Sequence, residues 1–388
     1  MQLLNIKKGR LPIVITRILF AVYVVSVCVV GAALSGVPDE ISLSREEFER
    51  VSSNAQNIDS EITVKAKLFG ALPLKDVKVN VFEENALVPC GDVFGVKFFT
   101  KGVVIVKMSD IPTKDGKESP AEKAGLVTGD IIEKIDGAQI NTVEAMAEIV
   151  ENCKGKDLAV SYRRDGKEQT CVMTPVLSLS DKKYKTGLWV RDSTAGIGTM
   201  TYYNPKTGEF AGLGHGICDV DTGLLMPLLK ASVVDVEITD IIKGRRGTPG
   251  ELKGDFDKVK MGYITKNTKR GVYGIINKEE ASSKAIPIGF SDELQTGKAT
   301  ILCELDADGV CEYDVEIVKI NENGAKDKNF VIRVADENLI KKTGGIVQGM
   351  SGSPVIQNGK LVGAVTHVLV NNPEKGYGIF IENMLSTD

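Results

Sequence analysis

From about residue 185 to its C-terminal end the chain is a series of short alternating runs broken by Gly, Asp and Asn: "GIGTMTYYNP", "ASVVDVEITDII", "KATILCEL", "EYDVEIVKI", "NFVIRVAD" and "GKLVGAVTHVLV". Successive side chains of a strand point to opposite faces, so a period of two buries one face and solvates the other. No helical runs alternate with these strands. That excludes a doubly wound α/β sheet and leaves a barrel or a sandwich. The chain holds 40 glycines and only 6% aromatic residues, a balance that suits a turn-rich β protein better than a helical bundle. Its 388 residues allow two or three domains, and 43% hydrophobic content supplies their cores. Net charge is −4 and no long basic run lies beyond the N-terminus, so nothing points to nucleic acid.

The first forty residues differ in kind. Lys7, Lys8, Arg10 and Arg17 precede "ILFAVYVVSVCVVGAAL", the uncharged stretch at 18–34. That stretch is at the short end of a membrane span and longer than the usual signal-peptide core. Positive charge on its N-terminal flank predicts a cytoplasmic N-terminus and export of everything after Ser35, through a single N-terminal membrane segment. The expected organisation is a signal or anchor (1–36), a polar linker with N-terminal strands (37–90), a first globular unit (91–180) and a β-rich domain (185–388).

The unit at 91–180 opens with "GVKFFTKGVVIVKM", two strand-like runs, and continues with "SPAEKAGLVTGDIIEKIDGAQI". Gly125 ends a short helix, Gly129-Asp130 turns the chain, and Ile131, Ile132 and Ile135 enter the core. "NTVEAMAEIVENC" has apolar positions at helical spacing, with Asn141 and Glu144 as a capping box. "DLAVSYRRDGKEQTCVMTPV" alternates as a hairpin around Asp165-Gly166. The unit resembles a PDZ domain of the kind attached to secreted proteases. Such domains bind an extended peptide as an added strand between their second strand and second helix. The resemblance implies a groove lined by Phe94, Gly95 and Val96 and by the helix face of Val143 and Met146.

Cysteine and histidine usage leaves little room for metal. No cysteine pair has C-x-x-C spacing, and the chain has two histidines. No metal and no cofactor are expected. Cys303 and Cys311 flank a hairpin-like turn at Asp308-Gly309, where either a cross-strand disulfide or two buried thiols fit.

Acyl transfer by serine needs a base, a group that orients the base, and N–H donors for the developing oxyanion. "GMSGSP" (349–354) has the G-x-S-G-x-P arrangement of chymotrypsin-type nucleophiles, with Ser351 as nucleophile and the N–H groups of Gly349 and Ser351 as the oxyanion hole. Ser353, before the proline, reads as a turn residue. Between Ser351 and His367 there is no carboxylate, which excludes the Ser–acid–His order of an α/β-hydrolase. His215, in "GLGHGICD", precedes the serine with carboxylates between them, the order of chymotrypsin-like proteases. Asp219 and Asp221 follow His215 closely and satisfy that order. His367 reads as a half-buried strand histidine or as a residue lining the substrate pocket.

The chain as a whole resembles the stage IV sporulation protein B peptidases of endospore-forming bacteria. "KTGGIVQGMSGSPVIQNGKLVGAVTHVLVNNPEKGYGI" and "GHGICD" carry that resemblance. It implies a mainly β fold: membrane segment, PDZ domain, then a chymotrypsin-like β-barrel peptidase. It implies the catalytic residues Ser351, His215 and Asp336, the last in "RVADENL". The implied function is a serine endopeptidase that processes itself and cleaves the extracytoplasmic part of a membrane-bound regulator, activating an intramembrane protease and a late sigma factor. The implied partners are that regulator, a second copy through the PDZ domain, and the membrane, in the space between the forespore membranes. The rival reading is a membrane-tethered PDZ scaffold whose β domain is non-catalytic. The presence of Ser351, His215 and Asp336 together argues against it.

Overall fold

The computed structural model describes residues 40–45, 48–49, 61–68, 72–82, 86–276, 284–321 and 327–386. The stretch 18–34 and its basic flank lie outside the described residues, and among the described residues no helix is long and apolar enough to cross a membrane. The single N-terminal membrane segment, and the exported location inferred from it, are corrected accordingly. They rested on local hydropathy and flanking charge, and no spanning helix among the described residues supports them.

The chain divides into Met1–Asn85 and Ala86–Asp388. In the first unit β1 (Glu40–Ser44), β2 (Glu61–Leu68) and β3 (Leu72–Phe82) form a sheet in the order β1-β3-β2. Residues 40–44, expected within a linker, are therefore a strand. Their alternation puts Leu43 against Phe48, Val79 and Val81.

The second unit begins with β4 (Ala86–Pro89) and β5 (Val93–Met108). There follow β6 (Ile111–Thr113), β7 (Gly116–Glu118), α1 (Pro120–Lys123), β8 (Ile131–Ile135), β9 (Ala138–Gln139) and α2 (Val143–Asn152). Next come β10 (Leu158–Arg164), β11 (Lys167–Met173), β12 (Val176–Leu177) and β13 (Tyr184–Lys185). Together with the second half of β5 these make the PDZ module, around Ile105, Leu126, Ile132, Ile135 and Val160. Asp130, fully buried, is held by a two-pronged ion pair with Arg164 (2.7 and 2.6 Å) and by the Val127 N–H (2.9 Å). The cap of α2 is Thr142, whose hydroxyl accepts from Ala145 N. Asn141, expected in that role, instead accepts from Gly102 N at 3.0 Å and ties the helix to β5.

Two six-stranded barrels complete the unit. The first uses β14 (Leu188–Tyr203), β15 (Glu209–Gly212), β16 (Leu228–Ile242), β17 (Glu251–Thr268) and β18 (Gly271–Ile276). The order β5-β16-β17-β18-β15-β14 closes through β5–β14 pairing, around Phe94, Phe98, Phe210 and Val233. β19 (Ile286–Pro287) then leads to the second barrel. That barrel contains β20 (Gly297–Glu304), β21 (Val310–Ile320), β22 (Phe330–Val334), α3 (Glu337–Thr343), β23 (Pro354–Gln357), β24 (Lys360–Val368), β25 (Lys375–Phe380) and the final helix α4 (Ile381–Leu385). Its strands close in the order β20-β21-β22-β25-β24-β23 around Ile301, Ile317, Phe330 and Val365. Burial alternates along β20, the period read in the sequence. Cys303 and Cys311 stand opposite each other across β20 and β21 as free thiols, and burial pushes the Cys303 thiol up.

The fold is mainly β, as expected, but the PDZ module interrupts the first barrel between its first and second strands. β5 begins in the barrel and ends in the PDZ sheet. Phe94, Gly95 and Val96, expected at a peptide groove, are corrected to barrel positions. Phe94 is fully buried, edge-on to Phe210 at 5.7 Å between ring centres. Gly95 is packed so tightly that a Cβ there would meet the Phe256 ring at 2.3 Å.

Candidate active site

His215 follows β15 in the loop Leu213–Gly216, where Leu213 and Gly214 take φ of 67° and 64°. A Cβ on Gly214 would meet Thr366 Cγ2 at 2.8 Å, so the missing side chain is what lets this loop close onto β24 of the second barrel. His215 Nδ1 lies 2.9 Å from the Gly216 carbonyl. A carbonyl only accepts, so Nδ1 donates and Nε2 carries the lone pair that a base requires. Burial pushes the His215 pKa below the ordinary histidine value, against the Gly216 carbonyl and the charge of Asp327, which favour the protonated ring.

Ser351 sits in the turn between α3 and β23. Its Oγ donates to the Thr366 carbonyl at 2.7 Å, and among the described residues it has no hydrogen bond to His215. The amides of Met350, Gly352 and Ser353 donate to Val347, Val365 and Met350 carbonyls. Those of Gly349 and Ser351 have no acceptor among the described residues. Two neighbouring N–H groups left open beside a serine are what a developing oxyanion needs. Ser351, Gly349, His215 and His367 line one cavity of about 490 Å³, whose apolar walls include Ile197, Val347 and Val368.

Two residues that sequence reasoning missed hold this arrangement. Thr199 and Thr201, both fully buried on β14, donate their hydroxyls to the carbonyls of Gly349 and Gly352, each at 2.7 Å. Thr199 N also donates to Ser351 O (2.9 Å), and Thr199 O accepts from Leu213 N (3.2 Å). One strand residue of the first barrel thus binds both the serine turn and the histidine loop. The available signal was "GTMTYY", hydroxyls two apart in an otherwise apolar run.

The carboxylates are distributed differently from the expectation. Asp336 caps α3: its Oδ1 accepts from Asn338 N (2.8 Å) and Leu339 N (2.9 Å). It lines neither cavity that His215 lines. The orienting contact made by His215 is with Gly216. Asp219 and Asp221 are ion-paired to Arg191, and Asp219 Oδ1 also accepts from the amides of Asp221 and Thr222. Asp327, which the sequence did not single out, lines a second cavity of about 1000 Å³ with both histidines. Asp336→Ala is expected to lower stability by about 1 kcal/mol through the lost cap, and Asp336→Asn, itself a good cap, to restore it in urea titrations. An Asn variant of full stability that hydrolyses no peptide returns Asp336 to the role the resemblance gives it.

His367 stacks obliquely on His215, with ring centres 4.8 Å apart, and its buried Nδ1 has no hydrogen-bond partner among the described residues. Burial, then the nearby His215 and Lys328, bring its pKa down to about 4. Both rings are thus neutral at pH 7, with folded pKa values below the unfolded one of about 6.5. Above that value neither state binds the proton. As pH falls below it, the unfolded chain takes up protons that the folded chain refuses, and stability declines toward pH 4. Hydrolysis is expected to be flat above pH 7 and to fall only on the acid side, as His215 protonates. A pH profile of kcat/KM beside urea midpoints at pH 7.5 and 5 checks both signs.

A family model described as SpoIVB peptidase S55 matches residues 182–385. The chain belongs to that family. A PDZ model matches residues 94–173, so the SpoIVB peptidase S55 chain carries a PDZ domain. The S55 match starts after β5, although the first barrel closes only with that strand. Among curated proteins, the carboxy-terminal-processing protease of Bartonella bacilliformis is 23% identical over 262 residues, 62% of this chain and 56% of that protein. The zinc metalloprotease RasP of Shouchella clausii is 35% identical over 52 residues, 13% of this chain and 12% of that protein. The S55 chain therefore spans about half, or much less, of the curated relatives it matches. Among solved structures, the active form of the Rv3671c protease of M. tuberculosis is 12% identical, with a TM-score of 0.29 over 49% of this chain and 71% of that one.

Proposed function

We propose that this chain is a signalling endopeptidase of sporulation, which processes itself and cleaves a membrane-bound regulator, thereby activating an intramembrane protease and a late sigma factor. The observation that carries the peptidase part is the meeting of His215, Ser351 and the open amides of Gly349 and Ser351 at one cavity. Rotation of Ser351 about χ1 frees its hydroxyl from the Thr366 carbonyl and offers the proton to His215 Nε2. The serine oxygen then attacks a peptide carbonyl whose oxygen is received by the two amides. The protonated ring gives its proton to the leaving amine, and water repeats the sequence to release the acyl group.

The apolar walls of the cavity favour an apolar side chain next to the scissile bond. The signalling role rests on family membership. Incubating the active chain with a full-length Ser351→Ala copy tests self-processing, since the inert copy is cut only in trans. A fluorophosphonate probe that labels the active chain at Ser351, together with new fragments of the inert copy cut beside apolar residues, is the expected result. Labelling with no cut of the copy, and none of a co-expressed membrane-bound regulator, removes the signalling reading and leaves the peptidase.

A further inference from the structure

The PDZ module's peptide-binding edge is already occupied. The second half of β5 pairs with β8 on one side, through Val103–Ile132 and Val104–Ile131. On the other side it pairs antiparallel with the start of β14: Leu188 with Met108, Trp189 with Lys107, Val190 with Ile105 and Arg191 with Val104. That second edge faces α2, where a PDZ domain takes up a peptide as an added strand. Leu188 and Val190 pack against the module's core beside Met146 and Val150. Asp192 then accepts from the first amide of α2, Val143 N, at 2.9 Å, so a carboxylate sits at the positive end of the helix. Apolar side chains two apart, followed two residues on by an acid, are held as a bound peptide would be.

This strand also touches the catalytic site. Arg191 is ion-paired to Asp219 and Asp221, in the turn that follows His215. Two residues beyond Asp192, Thr194 begins the stretch to Ile197 that walls the cavity of Ser351 and His215. With the strand in place, Ser351 Oγ is bonded to Thr366 and not to the histidine.

We propose that Leu188–Asp192 is a built-in ligand of the PDZ groove, and that an extended peptide of the pattern apolar-x-apolar-x-acid exchanges with it and thereby readies the catalytic site. The exchange step rests on the peptidase reading above; the groove's occupancy does not. Displacement withdraws Arg191 from Asp219 and Asp221, releases the histidine loop and loosens the cavity wall. A remaining space of about 460 Å³ between α2 and residues 186–190 gives an incoming side chain a place to enter before the strand leaves.

The probe is the synthetic peptide Gly-Leu-Trp-Val-Arg-Asp, the sequence of residues 187–192. In the catalytically inert Ser351→Ala protein, fluorescence anisotropy of labelled peptide reads binding, and hydrogen exchange reads protection of residues 187–192. Saturating peptide is expected to remove that protection. Asp192→Asn, and separately Val190→Ser, is expected to tighten peptide binding about tenfold, because each weakens the internal competitor. Unchanged protection at saturation, or equal affinity in all three proteins, overturns the proposal whether or not the chain is a peptidase. In the active protein, peptide is expected to raise hydrolysis of a short reporter substrate at least threefold, and Arg191→Gln to keep the binding while losing that activation. Binding with exchange but no activation overturns the coupling. Absence of any hydrolysis, with exchange intact, overturns the peptidase reading instead.

Discussion

Ser351→Ala is expected to leave a folded protein whose peptide hydrolysis is lower by about 10^6-fold in kcat, the scale at which a nucleophile is lost from a unit that acts together. Little stability should go with it. The hydroxyl makes one hydrogen bond, to Thr366 O, on the wall of an open cavity, and such a bond is worth about 1 kcal/mol. His215→Ala should cost a similar factor, because a serine without its base is no better than no serine. The double variant is then the informative one. If the two side chains pass one proton between them, losing both is no worse than losing either. Steady-state kinetics on a reporter peptide, with urea midpoints for all three variants, decides this. Losses that multiply in the double variant mean that the two residues act separately, and the peptidase geometry fails.

Much of this site was legible because its residues sit among glycines that have no other business in a strand-rich chain. The clusters around His215 and Ser351 mark turns too tight for side chains, and the histidine loop shows the reason in the approach of Gly214 to Thr366. The strands from β14 onward were legible as alternation, which left barrel and sandwich open. What sequence periodicity could not show was where one sheet ends and another begins. β5 keeps its strand pattern across the passage from barrel to PDZ module, so Phe94–Val96 were read with the wrong neighbours. Asp336 shows a different limit. An aspartate before "ENLIKK" suits a helix cap, and an aspartate between a histidine and a serine suits a triad, so one letter served two readings. The filling of the groove by Leu188–Asp192 was invisible for a third reason. Its partners on β5 lie about eighty residues earlier, and strand pairing over that separation leaves no local trace.

Gly352→Ala should be the most damaging small change to the serine turn. Gly352 has a φ of 101°, a backbone conformation that costs an L-residue about 1–3 kcal/mol. Space is the harder constraint. An added Cβ would lie 1.9 Å from the Thr199 carbonyl oxygen and 2.5 Å from Leu213 N. Both are backbone atoms of the first barrel, hydrogen-bonded to each other, so no side chain can swing aside. The turn must back away, breaking the bonds from Gly352 N to Val365 O and from Thr201 Oγ1 to Gly352 O, both 2.7 Å. Overpacking adds about 1–3 kcal/mol to the strain, for a loss of about 2–6 kcal/mol. Because Ser351 and its open amide move with the turn, a displacement of about 1 Å also lowers kcat roughly 100-fold in whatever protein remains folded. Gly359→Ala is the control that separates strain from contact. Its φ is 76°, but nothing lies within 4 Å of the added Cβ, so it should lose about 1 kcal/mol and no activity. Equal damage at the two glycines, by urea midpoint and by kcat, would mean that the close seat of the serine turn on Thr199 does not set the site's geometry.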